Sequence, residues 1–173
     1  ANGVDLNRDF PDQFNDPNNS VNGREPETAA VMEWSANHNF VLSANMHTGA
    51  LVVNYPYDGP NSGTYSACPD DELFTHISLA YADAHPNMSS GGFNNGITNG
   101  SQWYAISGGM QDWNYLWENS FDITLEQNVD KWPNSNELES LWEDHREPLL
   151  IYMEEIHDGI RGIIIDAETQ EPI

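Results

Sequence analysis

The chain has 173 residues, 38% of them hydrophobic, including six Trp, seven Tyr and six Phe, which suits one globular domain and excludes disordered and fibrous classes. Its 28 acidic residues face five basic ones, for a formal net charge of −23, which argues against nucleic acid as a partner because phosphate binding needs a basic footprint. No apolar run approaches the roughly 20 residues that span a bilayer, no basic start followed by an apolar core marks a signal peptide, and the lone Cys68 excludes an internal disulfide or a cysteine-rich metal site.

The excess acid has two readings, solubility in a salty or extracellular medium and attraction of cationic substrates. In chain order, "PDQFNDPNNSVNGR" (11–24) consists of turn formers and reads as a surface loop. Pro26 fits a first helical turn, Glu25 and Glu27 suit its positive end, and a helix runs to Asn37. Phe40 to Met46 reads as a strand whose apolar and small residues predict burial on both faces, as at the centre of an α/β sheet. His47 then stands at the carboxyl edge where such sheets bind ligands. One imidazole does not define a metal site, so at this stage His47 is either a ligand or an ordinary strand-end histidine. Leu51 to Tyr55 is a second extended run, closed by a Tyr-Pro-Tyr-Asp turn.

From Asp70 to His85, Leu73, Phe74, Ile77, Tyr81 and Ala84 recur at helical spacing ahead of Pro86. Residues 87 to 112 hold six glycines without clear period and predict long irregular structure of the kind that carries function; Trp103 and Tyr104 within it need burial or a ligand. Phe121 to Gln127 alternates as a strand with one polar face, where Glu126 is either exposed at an edge or placed to react. Asn134 and Glu137 predict the start of a long helix with Leu138, Leu141, Trp142, Leu149, Tyr152, Met153 and Ile156 as its apolar stripe, a kink or restart at Pro148 and an end at Gly159. "IRGIIID" reads as one further strand, too little for a domain. Three N-x-Ser/Thr sequons, at Asn18, Asn87 and Asn99, carry no weight without the host.

"NGVDLNRDFPDQF", "EPETAAVMEW", "VLSANMHTGALVVNYPYD", "GITNGSQWY", "GGMQDWNYLW", "FDITLEQ" and "HDGIRGIIID" occur in that order and resemble the zinc carboxypeptidases, more closely the N/E/D/M-type branch than the digestive A/B type. The resemblance implies an α/β fold, three-layer α/β/α around a mixed, mostly parallel central sheet. It places residues 1–158 as the later part of the catalytic domain and 159–173 as the first strand of a transthyretin-like β-sandwich module. His47 matches the family's second zinc histidine. The H-x-x-E segment that supplies the other Zn2+ ligands is absent here, and that segment and the oxyanion arginine are expected upstream of Ala1.

Asn7 and Arg8 match the pair that grips the substrate's terminal carboxylate, although "LNRDF" alone reads better as a surface ion pair. Tyr104 matches the mobile tyrosine that covers substrate. Glu126 matches the general base, which takes a proton from the zinc-activated water and passes it to the leaving amine. Asp58, 11 residues after His47, and Gln111, seven after Tyr104, match positions lining the side-chain pocket of basic-specific members; "YDGP" alone reads as a turn. Thr48 stands where glycine is common and Asp9 where asparagine is common. The implied activity is a zinc-dependent exopeptidase that hydrolyses the C-terminal peptide bond and prefers Arg or Lys. Its partners are peptide or protein C-termini, and it is expected to be a secreted or periplasmic monomer. The alternative is a non-catalytic peptide-binding member of the same fold.

Overall fold

The alternation in "FDITLEQN" organises the molecule. In the computed structural model, which describes residues 2–160 and 162–172, β1 (Leu42–His47), β2 (Ala50–Tyr55), β3 (Ile97–Asn99) and β4 (Phe121–Asn128) form one sheet in the order β1-β4-β2-β3. β4 runs parallel to β1 and antiparallel to β2, and β2 runs parallel to β3, so the sheet is mixed and mostly parallel, as expected. As an inner strand β4 is covered on both faces. Ile123 and Leu125 are fully buried with Val53, Tyr55, Phe74, Ile77 and Tyr81 under α2 (Asp71–Ala84) and α5 (Leu138–Glu154). Each such large side chain contributes about 1.5–3 kcal/mol on removal from water. Asp122, Thr124 and Glu126 point to the opposite face, beneath α4 (Met110–Trp117), which packs on α1 (Pro26–Ala36) through Trp113, Met32 and Phe10. Helices therefore lie on both faces, the expected three layers.

A polar face is tolerable inside this layer because most of its groups have partners, the exceptions among the described residues being Asn45 Oδ1, Asn54 Oδ1 and Glu126 Oε2. Asp122 accepts hydrogen bonds from Ser43 Oγ (2.7 Å), Asn45 Nδ2 (2.9 Å) and Asn114 Nδ2. One carboxylate thus ties β1, β4 and α4 together, and these donors offset a burial that raises its pKa. On the other face Tyr81 and His145 join α2 to α5. His145 Nε2–H donates to the Gln127 carbonyl (2.8 Å), which leaves Nδ1 to accept from the Tyr81 hydroxyl (2.7 Å).

Several expectations need correction. β1 is an edge strand among the described residues, with Met46 57% exposed, because a run of small and apolar residues does not by itself distinguish an inner strand from an outer one. The stretch 87–112 is less irregular than expected: it contains β3, the single turn of α3 (Gly100–Trp103) and the start of α4. The stripe on α5 is displaced. Its buried residues are His145, Pro148 and Tyr152, while Leu138, Trp142, Met153 and Ile156 are exposed. Pro148 neither ends nor restarts the helix, since its ring sits on that buried stripe. Leu73 is likewise exposed on α2. α5 passes at Glu155 into a short 3-10 turn capped by Asp158, and Gly159 follows it with a φ of +128°, the position after the last turn expected for that glycine. Among its described residues the tail forms a turn over residues 166–171 and an isolated bridge between Ile165 and Pro172, with Ile160, Ile163 and Ile164 exposed; Arg161 of the expected strand lies outside the described residues. No described helix is long and apolar enough to cross a membrane.

Candidate active site

The parallel pairing of β1 with β4 puts His47 directly opposite Glu126 at the carboxyl ends of the two strands. A cavity of about 150 Å³ opens there, lined by Asn7, Arg8, His47, Asp58, Tyr104 and Glu126 together with Asp5, Thr48, Asn54, Ile106, Thr124 and Lys131. It has room for one side chain rather than a drug-sized ligand. A larger cleft of about 350 Å³ shares Asp5, Asn7 and His47 but is otherwise walled by Leu6, Phe10, Val31 and Met110 among others. The charged groups converge on the smaller one.

Each side chain is placed by its local structure. Asp5 caps the 3-10 turn Leu6–Arg8, its carboxylate accepting from Asn7 N–H. Asn7 Oδ1 accepts the first N–H of α4, that of Met110, at 2.9 Å, which fixes the amide and leaves its NH₂ to point elsewhere. Arg8 donates to the Asn7 carbonyl at 2.7 Å and lies 4.0 Å from Asp5. Gly108 makes this possible: its φ is +74° and a Cβ there would sit 2.6 Å from the Arg8 carbonyl oxygen. Tyr104 follows α3, whose first turn is capped by Asn99, and its ring stacks edge-on against Trp103 at 4.6 Å while 43% of the residue stays exposed.

Asp58 forms the floor and is 3% exposed. Its Oδ1 accepts from Gln111 Nε2 (2.8 Å) and Asn54 Nδ2 (3.1 Å), and Thr124 Oγ1 donates to Gln111 Oε1 (2.8 Å). Gln111 therefore does not line the cavity, as the sequence led us to expect; it stands behind Asp58 and aims it. A side chain at Gly100 would collide with Asp58 Oδ1, so that glycine is required by close approach. Burial pushes the Asp58 pKa up, countered by Asn54, Arg8 and Gln111.

His47 and Glu126 form the reactive end. Burial holds the His47 pKa below its ordinary value despite Asp5, so the ring is neutral near pH 7 and carries a lone pair. Burial raises the Glu126 pKa, partly offset by Lys131 and the Ala50 N–H, and its Oε2 has no hydrogen-bond partner. A neutral imidazole beside an orphaned carboxylate oxygen fits one corner of a zinc site with its base. Zinc usually takes about three protein ligands, and among the described residues of the cleft His47 is the one imidazole. The described group of three that could hold a metal, His76, Glu155 and Asp158, lies elsewhere, between α2 and the end of α5.

The structure adds residues that the sequence reading missed. Lys131, the chain's only lysine, reaches over Gly49 into the cleft beside Glu126; its rarity was the available signal. Asn54 and Asp112 support Asp58, and both lie next to or one helical turn from residues already singled out.

Comparison with known proteins agrees with this geometry. The family described as zinc carboxypeptidase matches residues 1–148. Human carboxypeptidase D is 46% identical over 182 residues, covering 96% of this chain and 13% of that protein. The mouse carboxypeptidase N catalytic chain is 46% identical over 198 residues, covering 98% and 43%, and mouse carboxypeptidase M is 44% identical over 177 residues, covering 95% and 39%. The chain thus spans less than half the length of each of these relatives. Two solved structures share the fold: carboxypeptidase A from Helicoverpa armigera (TM-score 0.62, 18% identity, 88% of this chain and 41% of that one) and thrombin activatable fibrinolysis inhibitor (0.66, 20%, 91% and 43%). The chain belongs to the zinc carboxypeptidase family.

Proposed function

We propose that this chain supplies the substrate pocket, the general base and one metal ligand of a zinc-dependent exopeptidase that hydrolyses the C-terminal peptide bond and prefers Arg or Lys at that end. The observation that carries the reading is the convergence of Arg8, His47, Asp58, Tyr104 and Glu126, from five separated segments, on one cavity the size of a side chain. Arg8, with the Asn7 amide, holds the terminal carboxylate; a guanidinium fork pairs with a carboxylate through two charge-assisted hydrogen bonds. The last side chain then points to Asp58, where a cationic head gains about 1.5–3 kcal/mol over an apolar one. Tyr104 covers the bound residue. Zinc, when bound, polarises the scissile carbonyl and lowers the pKa of water to about 7. Glu126 Oε2 is the proton acceptor for that water and then the donor to the leaving amine. His47 is one zinc ligand.

The tail from Gly159 starts a further β-rich module in this reading, and the acidic surface with one buried cysteine suits a secreted or periplasmic monomer. The second reading, a peptide binder without catalysis, draws on the single imidazole in the described cleft and leaves the same pocket in place. Measuring kcat/KM of the zinc-loaded enzyme to which this chain contributes, on peptides that differ only in their last residue, tests the proposal. Arg and Lys should be removed faster than Phe or Leu, and Asp58→Ala should narrow the gap by slowing the basic substrates. Faster removal of Phe would overturn the pocket assignment.

A further inference from the structure

Asp58 does not sit alone beneath the cleft. Asp112, on the first turn of α4, is 4% exposed, and both of its carboxylate oxygens lie within reach of the Asp58 backbone N–H, at 3.1 and 3.0 Å. Neither carboxylate has a salt bridge among the described residues; the described ion pairs involve Asp5, Asp16, Glu143 and Glu155 instead. The charged and titratable groups facing the pair are Arg8 from the 3-10 turn, Asp122 from β4, Asp12 from the loop after that turn, and the phenols of Tyr57 and Tyr104. Arg8 is the cation acting on Asp58, and it lies 4.0 Å from Asp5 and lines the cavity, as does Lys131. Two adjacent buried carboxylates without a counter-ion do not both ionise, since each charge lacks solvent and repels the other.

We propose that the Asp58–Asp112 pair holds one proton on one or other of its two carboxylates in the empty pocket, and that a cationic C-terminal side chain binds by taking that proton's place. The inference rests on the proposed basic-residue pocket and deepens it. As the guanidinium or ammonium head reaches Asp58, the proton leaves for solvent, so the buried site exchanges one positive charge for another. Burial pushes both groups up from the ordinary aspartate range, with Asp122 adding to it at Asp58 and the Asp58 charge adding to it at Asp112, and this favours retention of the proton until a cation arrives. Asp112 is then a positioning and specificity residue that touches no substrate. Affinity for a basic residue falls as the pH falls, because acid competes for the same place, while a neutral residue of the same shape is indifferent.

Calorimetry on the 173-residue chain with Nα-acetyl-L-arginine and its neutral isostere Nα-acetyl-L-citrulline tests this, using two buffers of different ionisation enthalpy across pH 5 to 8. The arginine derivative should release protons, approaching one per ligand at the acid end, with its Kd weakening towards about tenfold per pH unit there by linkage. The citrulline derivative should release none. Asp112→Asn, whose amide oxygen still accepts the Asp58 N–H, should cut the release and flatten the arginine profile while leaving citrulline binding unchanged; a merely structural role would weaken both ligands and keep the slope. Preferential arginine binding without proton release in the wild-type chain would overturn the exchange and leave the basic pocket standing. Arginine bound no better than citrulline at any pH would overturn both.

Discussion

Glu126 shows how much one residue's surroundings decide. On sequence it is an acid at the end of an apolar strand; in the fold it is 7% exposed, opposite His47, with Oε2 unpartnered and its pKa raised chiefly by burial. An unpaired buried oxygen costs stability, about 1–3 kcal/mol for such a group, and is kept where chemistry uses it. Glu126→Gln in the zinc-loaded enzyme should lower kcat by about 100-fold or more with KM little changed, the signature of losing a positioned base. A near-normal kcat would reassign the base. At this scale the gathering of Asn7, Arg8, His47, Tyr104 and Glu126 around one cavity was to be expected only through resemblance, since each has an ordinary alternative as a surface or strand-end residue. Gln111 was found at the right position but in the wrong place, behind Asp58 rather than beside the ligand, because spacing along the chain does not say which way a helical side chain is held. Asp112 was invisible for a further reason: its partner is a backbone N–H 54 residues away.

Among elements, the seam between α2 and α5 carries a pH dependence of its own. His85 ends α2 and accepts, at Nδ1, the N–H groups of Asn87 and Met88, both at 3.2 Å, so its ring must stay neutral there. Its centroid lies 4.5 Å from that of His145. Burial, with His145 adding to it, lowers the His85 pKa to about 4, and burial lowers that of His145. A depressed histidine pKa means that the unfolded chain takes the proton first, so stability is full above the ordinary value of about 6.5 and is lost as the pH falls from there towards 4. Thermal melts across that window should show Tm falling with acid for the wild type and falling less for His85→Gln. Buried carboxylates such as Asp58 titrate with the opposite sign, so the difference between the two profiles isolates the histidines; identical slopes would contradict the assignment. The periodic elements α2 and β4, and α1 through its first-turn proline, acidic start and helix formers, were legible to within a residue or so. α4 was not, because eight residues from Met110 to Trp117 follow a glycine-rich loop without a capping signal. The α5 stripe was misplaced because exposed Leu138, Trp142 and Met153 outnumber the apolar residues that are buried, and the core instead takes a histidine and a proline.

For the molecule as a whole, the match to relatives of greater length sets what this chain does alone. With one imidazole in the described cleft, the 173-residue chain should bind zinc weakly and turn over no peptide, since affinity follows the number of ligands gathered. Metal analysis after dialysis checks this, and stoichiometric zinc with measurable turnover would show that its other ligands had been misjudged. An α/β sheet was legible because alternation, helical periodicity and glycine punctuation agree along much of the chain, and the three layers followed only from the resemblance; the strand order was not legible, since pairing β4 between β1 and β2 depends on contacts 70 to 80 residues apart that no local pattern encodes. As proposed, the cleft would read a free C-terminus next to a cationic side chain, and that recognition would need no metal. Binding of a short peptide ending in Arg to this chain, compared with the same peptide as its C-terminal amide, tests it most directly. The free acid should bind at least about tenfold more tightly, the worth of one charge-assisted carboxylate contact, and Arg8→Ala should erase the difference; equal affinity for acid and amide in the wild type would contradict the account.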